Sequence, residues 1–127
     1  MSPLLEHKHY IIRASVKHTK SLQDLELIEE WMKELIHSID MKILIDPVAV
    51  YCDKENNKGV TAIAAIETSH LALHIWDEVD PAVMQFDLYS CKQFDESIVL
   101  QSIDDTFGLI EHASMVLARD PFLSTNK

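Results

Sequence analysis

The stretch Ile66–Trp76, IETSHLALHIW, sets one serine, two histidines and a tryptophan among apolar residues. Ser69 stands beside His70, and His74 follows four residues later. A hydroxyl becomes a useful nucleophile when a base takes its proton, so a serine among imidazoles is a candidate for covalent chemistry. The stretch reads as strand, in which successive side chains point to opposite faces. Leu71, Leu73 and Ile75 then share a side suited to a core, while His70, Ala72, His74 and Trp76 share the other. In Ala82–Cys91, AVMQFDLYSC, the same alternation separates Met84, Phe86 and Leu88 from Gln85, Asp87, Tyr89 and Cys91. The turn between the two stretches is short enough for antiparallel pairing. Coinciding polar faces would gather hydroxyl, imidazole, carboxylate and thiol groups in one place.

Two familiar uses of such groups fit poorly. Histidines four apart meet on a helix and can share zinc, but on a strand they lie about 13 Å apart. A serine hydrolase of the usual kind needs a glycine-flanked nucleophile elbow, which is missing around Ser69.

The elements that would position these residues follow from periodicity. His9–Val16 is rich in β-formers and reads as a first strand. Ser21 and Asp24 form a possible capping box ahead of a helix to Ser38, with Leu25, Ile28, Met32, Leu35, Ile36 and Ile39 at helical spacing. Met41–Tyr51 reads as a second strand, bent at Pro47, because proline has no N–H for the ladder. A polar turn at 53–59 leads into a third strand that begins at Val60 and runs through the serine–histidine stretch. Ala82–Cys91 is the next strand. Asp95 caps a second helix, with Phe94 stapled on Val99 and an apolar stripe of Val99, Leu100, Ile103, Phe107 and Ile110. Ala113–Ala118 reads as a last strand, and the tail from Arg119 as loose. The order β-α-β-β-β-α-β implies an α+β fold: a two-layer sandwich whose antiparallel-rich sheet carries both helices on one face. The other face is left for a site or a partner subunit.

Composition narrows the function. The 127 residues suit a single domain over 1–127, and 47% of them are apolar, which excludes a disordered chain. A net charge of −10 argues against a nucleic-acid partner, which would need a basic patch. Two glycines are too few for a Walker loop or a dinucleotide fingerprint. No signal peptide and no membrane span is readable. Cys52 and Cys91, far apart, suggest no disulfide framework and a cytoplasmic setting.

The pieces Gly59-Val60-Thr61, Ser69-His70, His74-Ile75-Trp76, Glu78 and Asp87-Leu88-Tyr89-Ser90-Cys91 occur in one order at compatible spacing. This set resembles the central region of the bacterial and archaeal S-adenosylmethionine decarboxylases, and the helix LELIEEWMKEL resembles theirs too. The resemblance covers nearly the whole chain. It implies a proenzyme that cuts itself between Thr68 and Ser69, leaving a pyruvoyl group, derived from Ser69, as a covalent cofactor. That ketone forms a Schiff base with the substrate amine and acts as an electron sink when CO2 leaves. By the family's pattern His74 and Thr61 assist self-cleavage and Cys91 donates the proton. Tyr51 matches an adenine-stacking aromatic and Glu78 a ribose-binding carboxylate. The product would be the aminopropyl donor for spermidine, and the assembly a homodimer of cleaved protomers acting on a small-molecule substrate, with no metal role read from the residues.

The chain departs from that pattern near the cut. Thr68 stands where the family usually has Glu, with Glu67 one further back, which on a strand faces the opposite way. Asp77 replaces a proline and Lys92 a glycine. Two rivals follow: the same chemistry on arginine or ornithine, and an uncleaved relative that binds a ligand or a catalytic paralogue.

Overall fold

The structure is a computed structural model and describes residues 7–119. Six strands, β1 (Lys8–Val16), β2 (Ile43–Cys52), β3 (Gly59–Ile66), β4 (Ser69–Trp76), β5 (Ala82–Ser90) and β6 (Leu109–Ala118), accompany two helices, α1 (Leu25–Ser38) and α2 (Glu96–Phe107). The strands form one six-stranded sheet in the order β2-β3-β4-β5-β1-β6. Every neighbouring pair is antiparallel. The expected α+β sandwich is present, and one face of the sheet is open.

The core lies between sheet and helices. Alternate residues Tyr10, Ile12, Ala14 and Val16 of β1 meet Leu71, Leu73 and Ile75 of β4 and Met84, Phe86 and Leu88 of β5. From α1 come Ile28, Trp31, Met32, Leu35 and Ile36, all buried. Each such side chain contributes about 1.5–3 kcal/mol by leaving water. Trp31 packs edge-on against Phe86 and Phe107, at centroid separations of 5.8 and 5.0 Å, and its indole N–H donates to Ser102 Oγ at 2.9 Å.

Several expectations need correction. The single strand read from Val60 onward is two strands, joined by a hairpin turn at Glu67-Thr68. Ser69 is therefore the first residue of β4 rather than the middle of a strand, and Glu67 lies in the turn rather than on the opposite strand face. Ser21 is not a helix cap: residues Lys20–Gln23 make a short 3-10 turn, and Asp24 caps α1 by accepting the Leu27 N–H at 3.1 Å. Asp95 caps α2 as expected, accepting from the Ser97 N–H at 2.9 Å. Ile110 belongs to β6, because Gly108, with φ 75°, ends α2 in the left-handed conformation that lacks steric cost only for glycine. The last strand thus starts at Leu109 rather than Ala113. Where a bend at Pro47 was expected, β2 runs on with a pairing irregularity. Pairing of β2 with β3 shifts register between Ile45 and Val48, and the freed Ala49 N–H donates to Glu29 on α1 at 2.9 Å. Of the tail, the residues after Arg119 lie outside the described residues.

Candidate active site

The polar faces of β4 and β5 do coincide. His70 pairs with Tyr89, Ala72 with Asp87 and His74 with Gln85. β1 adds His9 beside Tyr89. On the open face His9 Nε2 lies 3.1 Å from Asp87 Oδ1, and His70 Nε2 lies 3.8 Å from the same oxygen. Arg119 stacks over the Tyr89 ring at 4.2 Å, and His7 Nδ1 meets the Tyr89 hydroxyl at 2.7 Å. Arg119 Nη1 is 3.4 Å from His9 Nδ1. A guanidinium only donates, so His9 accepts at Nδ1 and carries its proton on Nε2, directed at Asp87. The sequence reading missed His9 and Arg119, because the insertion of β1 between β5 and β6 leaves no local signal.

The Thr68–Ser69 peptide sits at one end of the sheet, where the hairpin turn enters β4 and Ser69 pairs with buried Ser90. Ser69 has φ 151°, a value that L residues avoid. The turn is pinned at both ends: the Glu67 N–H donates to Lys42 O at 2.9 Å, and the Cys91 N–H donates to Thr68 O at 3.1 Å. The carbonyl that precedes the serine therefore points at a backbone donor, the arrangement that stabilises charge on such an oxygen during acyl transfer. Cys91 follows β5 directly, half-buried, and its position across from Thr68 is set by the Ser69–Ser90 register.

Thr61 and His74 form a second group. They are cross-strand partners on β3 and β4, with Thr61 Oγ1 3.1 Å from His74 Nδ1. His74 stacks on Trp76, with ring centroids 5.9 Å apart, and Trp76 donates its indole N–H to Asn57 Oδ1 at 2.9 Å. These residues line a cavity of about 210 Å³ together with Cys52 and Gly59. Five residues of strand separate His74 from Ser69, about 17 Å. Within one chain the structure brings the Cys91 backbone to the Thr68 carbonyl, beside Ser69, but does not bring Thr61 or His74 there.

Gly59 lets β3 and β4 close over this cavity. Its φ is 154°, and a Cβ would fall 1.8 Å from Ile75 O. Tyr51, paired with buried Val60, packs from the helix side of the sheet, opposite His74 and Trp76. Its hydroxyl donates to both Asp77 oxygens at 3.0 and 3.1 Å. Burial, and then the bond to the Asp77 carboxylate, push the phenol up to about 12. Asp77 also accepts from Gln23 Nε2 at 3.0 Å, which ties the loop after β4 to the start of the helical layer. Glu78 is exposed and accepts the Asn56 and Lys58 N–H groups at 3.3 and 3.2 Å. Each of its oxygens keeps a free lone pair. Tyr51, Asp77 and Glu78 form one rim, at the Thr61–His74 end of the sheet.

Comparison with known proteins accords with this geometry. The crystal structure of the adenosylmethionine decarboxylase from Aquifex aeolicus VF5 shares the fold, with a TM-score of 0.68 at 16% identity over 97% of this chain and 98% of that one. The family model described as S-adenosylmethionine decarboxylase matches residues 8–120. The match spans every strand and both helices, so the chain belongs to the S-adenosylmethionine decarboxylase family.

Proposed function

We propose that the protein cuts itself between Thr68 and Ser69 and then decarboxylates S-adenosylmethionine with the resulting pyruvoyl group, supplying the aminopropyl donor for spermidine. One observation carries this reading: the Thr68 carbonyl is held by the Cys91 N–H while the adjoining Ser69 backbone is strained. In the cut, Ser69 Oγ bonds to the Thr68 carbonyl carbon and the C–N bond breaks. The hydroxyl proton ends on the Ser69 nitrogen, which turns the amide into an ester. Loss of the Ser69 Cα hydrogen and of the Cβ–O bond then frees Thr68 as a carboxylate. One water is consumed, ammonia leaves, and residue 69 is blocked as a pyruvoyl. The Cys91 N–H stabilises the oxygen that gathers charge in the first step. Relief of strain at Ser69 favours the cut.

The residues at the cut fit such a group, because a serine supplies its three carbons and the backbone N–H of Cys91 holds the carbonyl of the same peptide. Once formed, it supplies a ketone that accepts the substrate amine and draws electrons as CO2 leaves. Cys91 then holds the proton that the substrate α-carbon needs. Under the same proposal Glu78 binds the ribose hydroxyls through its free lone pairs, and Tyr51 serves the adenine from the same rim.

The active form is a homodimer in which Thr61 and His74 of one protomer serve Ser69 of the other. Two features support this. The separation along β4 is too long for hydrogen bonding within one chain. The open face also carries Val48, Val50 and Ile63, 49%, 54% and 55% exposed, whose cover by a second sheet is favourable. A cytoplasmic enzyme accords with the reading, and among the described residues no helix is long and apolar enough to cross a membrane.

Purified protein is expected to release CO2 from carboxyl-labelled S-adenosylmethionine, and Ser69→Ala to release none. Release from labelled arginine or ornithine, with none from S-adenosylmethionine, would move the assignment to a basic amino acid. No release from any of the three would favour the uncleaved relative.

A further inference from the structure

Ser90 is the one polar side chain fully buried among the described residues, at 0% exposure. It lies at the end of β5, opposite Ser69. Its Oγ accepts the Lys92 N–H at 2.9 Å and lies 3.0 Å from Thr68 Oγ1. Thr68 Oγ1 in turn lies 3.6 Å from Met41 Sδ. Each hydroxyl has one hydrogen to give. Methionine sulfur only accepts, so Thr68 donates to Met41 and Ser90 donates to Thr68. The result is a one-way chain, Lys92 N–H to Ser90 to Thr68 to Met41, of the kind in which each bond strengthens the next. Three successive residues therefore hold Thr68: Cys91 at its carbonyl, and Ser90, oriented by Lys92, at its side chain.

We propose that Ser90 is a positioning residue for self-cleavage, fixing Thr68 through its hydroxyl so that the scissile carbonyl stays on the Cys91 N–H and Ser69 stays in its strained conformation. This inference rests on the self-cleavage reading. Strain of the kind seen at Ser69 persists only where the surroundings over-determine it. The turn has no glycine or asparagine to supply that conformation locally, so the restraint comes from contacts. At this position the chain has threonine, whose short side chain offers Ser90 a hydroxyl to hold. Lys92 completes the clamp from outside: its N–H orients Ser90, and its ammonium reaches the Asp40 carbonyl and, at 3.2 Å, the Asp40 carboxylate. Asp40 is the residue before Met41, the end of the hydroxyl chain.

The test is the first-order rate of cleavage of freshly synthesised full-length chain, followed by denaturing mass spectrometry. Ser90→Ala and Thr68→Val are each expected to slow the cut roughly fivefold to tenfold, the worth of one buried hydrogen bond. The double variant should be no slower than the slower single, because both remove the same contact. Thr68→Ser, which keeps the hydroxyl, should cut within about twofold of the unmodified chain. A merely structural Ser90 would shift the melting midpoint without this coupling in rate. Thr68→Val changes no side-chain volume to speak of, so it tests the clamp even if Ser90→Ala fails to fold. Unchanged rates in the variants, or additive slowing in the double, would overturn the role of Ser90 while leaving self-cleavage intact. An unmodified chain that never cuts would overturn both.

Discussion

Mixing two dead variants tests whether the site is shared between protomers. Ser69→Ala removes the nucleophile, and His74→Ala removes the imidazole about 17 Å away along β4. Neither variant alone should cut. If His74 of one protomer serves Ser69 of the other, a mixed dimer has one site with both groups intact, located on the His74→Ala chain. Random pairing at equal amounts places about half of those chains in mixed dimers, so about half of them should be cut and none of the Ser69→Ala chains. Co-expression with tags of different mass, followed by denaturing mass spectrometry, reads the two populations separately. Cutting of His74→Ala chains by themselves at the unmodified rate would show that His74 has no part in the cut. No cutting in verified mixed dimers would refute the shared site.

Cys91→Ala should still be cut, because the backbone N–H that holds Thr68 O remains, but turnover should fall by about a hundredfold or more for loss of a positioned acid. Exposure to substrate should build up an alanine-terminated fragment from residue 69, visible by mass, since the proton reaches the wrong carbon. Turnover equal to the unmodified protein would reduce Cys91 to a packing residue. Gly59→Ala should lower stability by about 3 kcal/mol in chemical denaturation, because its Cβ would meet Ile75 O at 1.8 Å. A loss under about 1 kcal/mol would contradict the close approach of the two strands. Tyr51 should show a phenolate absorbance step at about pH 12 that is missing in Tyr51→Phe. Its folded value is raised, so the stability from its bond to Asp77 is present below pH 10.0, the ordinary value for a phenol, and lost as pH climbs through about 12. A stability difference between the two proteins that persists unchanged above that range would refute the link.

Much of the fold was legible in the chain because apolar periodicity is a strong local signal. The stripe on α1, the cap at Asp95 and the alternation in β4 and β5 all report backbone geometry that neighbouring residues determine, whereas the apolar spacing of α2 reads through the stop at Gly108 as far as Ile110. Pairing the polar faces of β4 and β5 needed only a short connection between strands. The hairpin at Glu67-Thr68 was not legible. Two-residue hairpin turns usually announce themselves with glycine or asparagine, and here the positive φ falls on a serine held by distant contacts. Reading β3 and β4 as one strand put Ser69 in the wrong setting and hid the bond from the Cys91 N–H to Thr68 O. The His9–Asp87–Arg119 contacts were out of reach for another reason: they depend on β1 lying between β5 and β6, a non-local pairing that no short window records. The burial of Ser90 and its contact with Thr68 depend on the same hairpin, so they too left no local signal. The separation of Ser69 from His74, in contrast, follows from strand rise alone, and the proposed sharing of the site between protomers rests on it.

The intact mass of the purified protein under denaturing conditions tests self-cleavage most directly. The account predicts two fragments, residues 1–68 with a free carboxylate and residues 69–127 lighter by one ammonia than a serine-terminated peptide. Ser69→Ala should run as one uncut chain with an unchanged fold. A single full-length mass for the unmodified protein after prolonged incubation, or a cut that leaves a serine amine at residue 69, would contradict it.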